Sequence, residues 1–257
     1  MKAYYPLKRS EPTDFVEPVV RYLEQAENQQ KAHAFREVMN KITQLRNKVT
    51  ALAYDEPNMD VINKYIPAVE MYLRFALMMG KHLNWNKEFG LTVDDLKIVW
   101  FDSFNPQLKF MKNDIYFDIF CCYYNLGVMY FYKAMILAEE ELNNSRKESM
   151  KCAKTAYFLF NRMRTYYYSG FVNTGFSDTD FSNLEILESL SLGVFYKNLF
   201  NLFKEDEYKL GIDKIASIAG LAQKHFYHGY EIAKAYFMKS SYIKPLVKTE
   251  VLGYAYV

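Results

Sequence analysis

Few side chains in this sequence stand at spacings that could do chemistry. His225 and His228 lie three residues apart and would share a face on a helix. A metal needs further ligands, and no His-Glu-x-x-His or Cys-His cluster supplies them. The pair therefore reads first as packing or surface, and neither a metal nor another cofactor is expected. Cys121-Cys122 sits in an apolar run without a neighbouring His or cation to form a thiolate, so it reads as structural. Glu139-Glu140-Glu141 could pair carboxylates for acid–base work, but reads as a solvated helix end. Gly80, Gly90 and Gly127 are isolated and fit no phosphate loop. The strongest charge feature is basic: Arg146, Lys147, Lys151 and Lys154, then Arg162 and Arg164. It reads as a wet helix face, or as a surface for acidic lipid headgroups worth about 1 kcal/mol per residue. Tyr166, Tyr167, Tyr168 and Phe171 follow. Without an RNA-binding motif they read as a packed helix end, and no nucleic-acid partner is expected.

The elements that must position these residues come from a chain of 257 residues, 51% hydrophobic, with 23 Tyr and 20 Phe. That is enough apolar side chain for a sizeable core. A net charge of +2 demands neither nucleic acid nor an acidic membrane. Three cysteines, Cys121, Cys122 and Cys152, form no disulfide framework and fit reduced thiols of a cytoplasmic protein. The first residues carry no apolar signal segment, and Lys2 stands where myristoylation would need Gly. The longest apolar stretch, 119–132, is shorter than the roughly 20 residues of a spanning helix and is interrupted by Asn125.

Periodicity predicts a mainly helical chain. A short strand is expected at 2–8, then a helix opening at Thr13 or Asp14 with Phe15, Val19 and Leu23 on one face. Helices follow near 28–53 and 59–83, with Pro67 predicted to kink the second or mark a boundary. Two strands near 95–102 and 107–111 would pair with 2–8 in a small sheet. Further helices are expected near 115–141, 147–169, 181–203 and 206–238, with Pro245 opening a final segment. Long helices with short connections predict antiparallel hairpins stacked as a solenoid, although no strict repeat period is present.

One stretch is more specific. Trp100-Phe101-Asp102-Ser103-Phe104 is followed by Phe117-Asp118-Ile119-Phe120-Cys121-Cys122-Tyr123-Tyr124-Asn125-Leu126-Gly127-Val128. This resembles the signature of the Bro domain family, the endosomal-sorting adaptors of the ALIX and rhophilin type. There a Trp-x-Asp-x-Phe strand end precedes a buried helix of the form Tyr-Glu-x-x-Cys-x-x-Phe-Asn-x-Ala-Ala. Trp100, Asp102, Phe104, Asp118, Cys121, Asn125 and Gly127 stand at structural positions of that pattern. The opening from Leu7 to Leu23, and residues 62–83, 184–195 and 218–226, are similar to further family segments in the same order.

The resemblance implies a single Bro-type domain over 1–257, short at its C-terminal end relative to the family. It implies a curved solenoid of antiparallel helical hairpins, tetratricopeptide-like in its core, with a small N-terminal sheet. It implies scaffolding without catalysis, in the cytoplasm with peripheral recruitment to endosomes. The implied partner is the C-terminal amphipathic helix of a CHMP-type ESCRT-III subunit, held on a concave face. Carried over by residue, the groove for that helix would use Phe195, Ile215 and Ile218, for which ordinary core is the competing reading. The family's acidic groove residue falls near 143–148, which here reads Asn-Asn-Ser-Arg-Lys-Glu.

Two other classes remain open. Arg146, Lys147, Lys151 and Lys154 fit a peripheral membrane-surface protein on an acidic endosomal membrane, with salt-sensitive binding. An enzyme on an unrecognised helical fold would require a deep polar pocket with converging ionisable groups, and no such constellation is visible in the sequence.

Overall fold

The computed structural model describes residues 5–27, 29–53, 57–85, 92–140, 142–167, 176–204 and 210–239. The chain divides into two compact units, Leu7–Asn125 and a second made of Met1–Pro6 with Leu126–Val257.

In the first unit, α1 (Val16–Ala26) packs on α2 (Gln29–Leu52), and α2 on α3 (Met59–His82). Apolar residues at helical spacing turn inward. Val16, Val19, Val20 and Leu23 are buried in α1, Met39, Ile42 and Val49 in α2, and Tyr65, Val69, Tyr72 and Ala76 in α3. The entry to α1 differs from the expectation. Phe15, not Thr13 or Asp14, is the N-cap, and Asp14 Oδ1 accepts from the Val16 N–H at 2.8 Å. The Thr13 and Phe15 amides donate to Asn47 Oδ1 and Thr43 Oγ1 at 3.0 and 3.1 Å. Side chains of α2 thus satisfy the two amides at the entry to the helix, while Asp14 takes its first N–H. Asn58 caps α3 by accepting from the Val61 N–H at 3.0 Å. Pro67 marks no boundary, since α3 continues to His82.

β1 (Ile98–Phe101) and β2 (Lys109–Lys112) are antiparallel, with Ile98 opposite Lys112 and Phe101 opposite Lys109. The expected strand at 2–8 is displaced. Residues 2–4 lie outside the described residues, and 5–8 form no strand. Instead Ser10 bridges Trp100, with the Phe101 N–H donating to the Arg9 carbonyl at 2.9 Å and the Glu11 N–H to that of Val99 at 3.3 Å. The reason lies in Asn125, which takes the backbone of Lys8. Its Oδ1 accepts the Lys8 N–H at 2.7 Å and its Nδ2 donates to the Lys8 carbonyl at 2.9 Å. A side chain replaces the strand partner there.

α4 (Ile115–Glu139) begins in the first unit and contributes its remainder, from Leu126, to the second. The second unit continues with α5 (Asn143–Arg162), a π-helical turn (Met163–Tyr167), α6 (Phe181–Lys204) and α7 (Ile212–Lys239). α6 packs against both α5 and α7. Two glycines permit close approach. A Cβ on Gly127 would stand 2.7 Å from the Phe160 ring, and one on Gly193 would stand 2.6 Å from the Phe226 ring.

Two helix starts differ from the expectation. α5 opens at Asn143 rather than 147, with the Arg146 N–H donating to the Leu142 carbonyl at 2.8 Å. Asn and Ser are weak helix formers, which hides this turn from propensity. α7 opens at Ile212 rather than 206, its first turn closed on the Gly211 carbonyl by Lys214 at 3.0 Å and Ile215 at 3.3 Å. α6 starts as expected, with Asp180 Oδ1 accepting the Asn183 N–H at 2.8 Å. Glu141, the segment after Pro245, and the side chains of Tyr166, Tyr167, Tyr168 and Phe171 lie outside the described residues. The architecture is mainly helical with a two-stranded antiparallel sheet. Among the described residues, no helix is long and apolar enough to cross a membrane.

Candidate functional site

The signature residues of the first unit converge on one carboxylate. Asp118, fully buried in the first turn of α4, accepts from Arg46 Nη2 at 2.9 Å, from Trp100 Nε1 at 2.6 Å and from the Tyr72 hydroxyl. Arg46 also donates to Ser10 Oγ at 2.6 Å and to the Glu11 carbonyl at 2.5 Å. One charge pair therefore ties α2, α3, α4 and β1 together. Burial lowers the Arg46 pKa and the Asp118 carboxylate raises it, with a net rise that keeps the guanidinium charged. Asp102 shapes the turn after β1: its Oδ1 accepts the Phe104 and Asn105 amides at 2.8 and 3.0 Å. Phe104 is half-buried in that turn, and Cys121 is buried in α4. Burial and the Asp118 charge push the Cys122 thiol well up, the reverse of an activated nucleophile. The Cys152 thiol is likewise raised, to about 11, chiefly by burial. These residues hold the fold in place.

A groove of about 320 Å³ opens between α5 and α6 in the second unit. Phe195, Leu199, Leu202 and Phe203 of α6 line it, facing Lys147, Met150, Lys151 and Lys154 of α5. Behind it the two helices are pinned by neutral groups. Ser149 Oγ donates to the Ala134 carbonyl at 2.6 Å, and Asn198 Nδ2 donates to Ser149 Oγ at 3.1 Å and to the Val194 carbonyl at 2.9 Å. Nearer the other end, Arg164 donates to Glu188 at 2.7 and 3.0 Å and lies 4.8 Å from the Phe181 ring. The floor is apolar and one wall carries three exposed ammonium groups on flexible stems.

Phe195 and the lysines at 147, 151 and 154 are thus brought to one site. Arg146 is not, and the expectation that it joins an exposed basic face is corrected. It is buried, 3.3 Å from Asn143 Oδ1. Arg146, Ser149, Ala153, Ala156 and Phe160 recur every three or four residues and form the inner face of α5. Lys147 and Lys154 stand one position after inner-face residues and Lys151 stands midway between Ser149 and Ala153, so all three leave the inner face and are exposed. Ile215 and Ile218 are half-buried on the first turns of α7 and are not among the residues lining this groove. His225 stacks on Tyr196, with ring centroids 5.4 Å apart, and His228 Nε2 lies 3.2 Å from Glu185 Oε1.

Sequence reasoning missed Leu199, Leu202 and Phe203, and the pinning pair Ser149 and Asn198. The three apolar residues continue the period that starts at Phe195, at steps of four, seven and eight, so the signal was present. The Ser149 to Asn198 bond spans 49 residues and has no local signature.

The chain belongs to the BRO1-like domain family, whose model matches residues 3–248 and so runs through both units. Among solved structures it is similar to ALIX in complex with the SIVmac239 PYKEVTEDL late domain, with a TM-score of 0.80, 14% identity and 97% of this chain covered. It is similar also to a Bro1 domain solved as a structural basis for endosomal targeting, with a TM-score of 0.74, 17% identity and 99% of this chain covered. The chain spans 35% of the ALIX chain and 67% of the Bro1-domain chain. No curated protein matches by sequence.

Proposed function

We propose that this chain is a non-catalytic adaptor of endosomal sorting, which seats the C-terminal amphipathic helix of a CHMP-type ESCRT-III subunit between α5 and α6. The observation that carries this reading is the groove itself, with Phe195, Leu199, Leu202 and Phe203 along one wall. An amphipathic helix recognises such a groove by placing apolar anchors at helical spacing into it. Buried anchors of this kind contribute about 2 kcal/mol or more each. Family membership and the likeness to a domain of endosomal targeting support the setting. Ile215 and Ile218 would act, if they touch the partner, from outside the described groove lining.

Fluorescence anisotropy of labelled ESCRT-III C-terminal helices, titrated with the chain, tests this. The expected result is micromolar binding that Phe195→Asp removes while the circular dichroism stays unchanged. Phe195 is half-buried, so the carboxylate is tolerated by the fold and not by an apolar ligand. Binding unchanged in Phe195→Asp sinks the reading.

The exposed lysines favour a second reading, attachment to an acidic membrane surface through α5 without Arg146. Sedimentation with anionic vesicles that weakens with salt, and is lost when the three lysines are replaced, is its outcome.

A further inference from the structure

The first unit exposes apolar side chains that its core does not use. On α3, Met71, Phe75 and Met78 are 54, 38 and 59% exposed, although the helix already buries Tyr65, Val69, Tyr72 and Ala76 on its inner side. At about 100° per residue the three exposed side chains fall within about 60° of arc, so they form one ridge on the outer side of the helix. The steps of four and three extend to half-buried Ala68 before the ridge and exposed His82 after it. That alternation is the seam of a coiled coil, with Ala68, Phe75 and His82 at a and Met71 and Met78 at d. The preceding d position holds Lys64, which is exposed and ends the apolar run. From Ala68 to Met78 the seam is about 15 Å long, or nearly three helical turns.

The flanks of the seam specify the helix that can cover it. The e positions, Tyr72 and Met79, are buried in the unit. The g positions are Arg74 and Lys81, seven residues apart and both exposed. Among the described residues neither forms an ion pair. The carboxylates of α3 are Asp60, in the first turn, and Glu70, half-buried and off both flanks. The open flank is therefore basic. A second copy of this chain does not suit it. In an antiparallel pair the two cations would meet the same two cations, and in a parallel pair they would face the buried e side. A bilayer surface takes the broad apolar face of an interfacial helix, whereas this is a narrow ridge on a helix whose other side is inside the unit. We propose that the outer side of α3 is a docking surface, on a different element from the groove, for an acidic coiled-coil helix of a partner protein. Its a and d residues interlock with Met71, Phe75 and Met78, and its flanking Asp or Glu residues, one heptad apart, meet Arg74 and Lys81.

Two labelled heptad peptides with Ile at a and Leu at d test this by anisotropy. One carries Glu at e and g, the other Lys. The host is the full chain carrying Phe195→Asp, so that a peptide seated between α5 and α6 does not contribute. The acidic peptide should bind about tenfold more tightly than the basic one, because two exposed pairs, each worth a factor of about 1.5 to 5, turn from attraction to repulsion between them. High salt should narrow the difference. Adding Phe75→Asp should remove binding with the circular dichroism unchanged, since Phe75 is exposed. Arg74→Glu with Lys81→Glu should reverse the preference, which a loss of structure would not do. Equal binding of the two peptides, binding that survives Phe75→Asp, or no binding of either peptide to the folded chain overturns the proposal. So does a dimer in sedimentation velocity that Phe75→Asp dissociates, which assigns the seam to a second copy. Anionic-vesicle binding that Phe75→Asp removes, without a peptide preference, assigns it to a membrane and overturns the proposal as well.

Discussion

The two units solve the problem of buried polarity differently. In Leu7–Asn125 the centre is charged: Arg46 and Asp118 are fully buried and gather Ser10, Tyr72 and Trp100 around them. In the second unit, the bond that pins α5 to α6 behind the groove joins a hydroxyl and an amide, Ser149 and Asn198, while close packing rests on Gly127 and Gly193. Its ion pair, Arg164 with Glu188, keeps Arg164 partly exposed, at 22% of its side chain. A buried charge pair is costly to form and penalises every arrangement that separates it. It suits a junction of three helices and a short sheet that has only one acceptable geometry. A neutral pin holds the two helices close without using Lys147, Lys151 or Lys154, which stay at the surface, although Arg146 of the same helix is buried.

The largest expected effect tests the charged centre. Asp118→Ala removes the acceptor shared by Arg46, Trp100 and Tyr72 and leaves a buried guanidinium uncompensated. It should cost about 3–5 kcal/mol, read as a fall in the urea midpoint. Ser149→Ala, the counterpart in the neutral pin, should cost about 1–2 kcal/mol because one hydroxyl is lost and no charge is stranded. Comparable costs for the two would erase the distinction.

Much of the fold, though not this contrast, was legible in the chain. The three-and-four spacing located the helices, and Trp100, Asp118 and Asn125 stood in a pattern that marked them as structural. Arg46 was not legible as the partner of Asp118, because 72 residues separate them and Arg46 looks like any charge on a polar helix face. The strand expected at 2–8 is replaced by a single bridge at Ser10 because Asn125, 117 residues from Lys8, takes the preceding backbone. The Thr13 and Phe15 amides at the entry to α1 are taken by α2 for the same reason: tertiary partners override local preference. In the groove, Phe195 was named only by carry-over from the family resemblance, and the structure puts it in the groove lining. Leu199, Leu202 and Phe203 look like ordinary core residues of an apolar helix until α5 is seen to leave that face open. Arg146 was misread by composition, although the period that carries Ser149 and Ala153 also carries Arg146 inward.

The glycine contacts sharpen the comparison within the second unit. Gly127→Ala would press a methyl group against Phe160, which is fully buried and has nowhere to turn. Overpacking of this kind costs about 1–3 kcal/mol. Gly193→Ala meets Phe226, whose ring is only half-buried and can swing outward. There the helix propensity gained on replacing Gly, about 1 kcal/mol, offsets most of the contact. Urea midpoints should therefore fall for Gly127→Ala and stay near the parent value for Gly193→Ala. The reverse order would mean that Phe226, not Phe160, is the fixed element of the packing.

The smallest expected effect concerns pH, where the units should also part. Arg46 is held charged by Asp118, so it contributes no titration near neutrality. His225 differs. Burial against α6, where its ring stacks on Tyr196, pushes its pKa below the ordinary 6.5, and the nearby Lys224 and His228 push it further the same way. The groups facing this site across α6 are Tyr196 and Glu185, the latter beside His228. A base with a folded pKa below its unfolded value is favoured neutral by the fold. Its stabilisation is complete above about 6.5 and is lost as pH falls from there through the depressed folded value. Comparing thermal midpoints at pH 8 and pH 5 for the parent chain and His225→Phe checks the sign. Phe preserves an aromatic ring over Tyr196 without the proton, so the variant should lose less stability on acidification. A larger loss in the variant would mean that protonated His225 is stabilised in the fold and that the α6–α7 contact is tuned by charge after all.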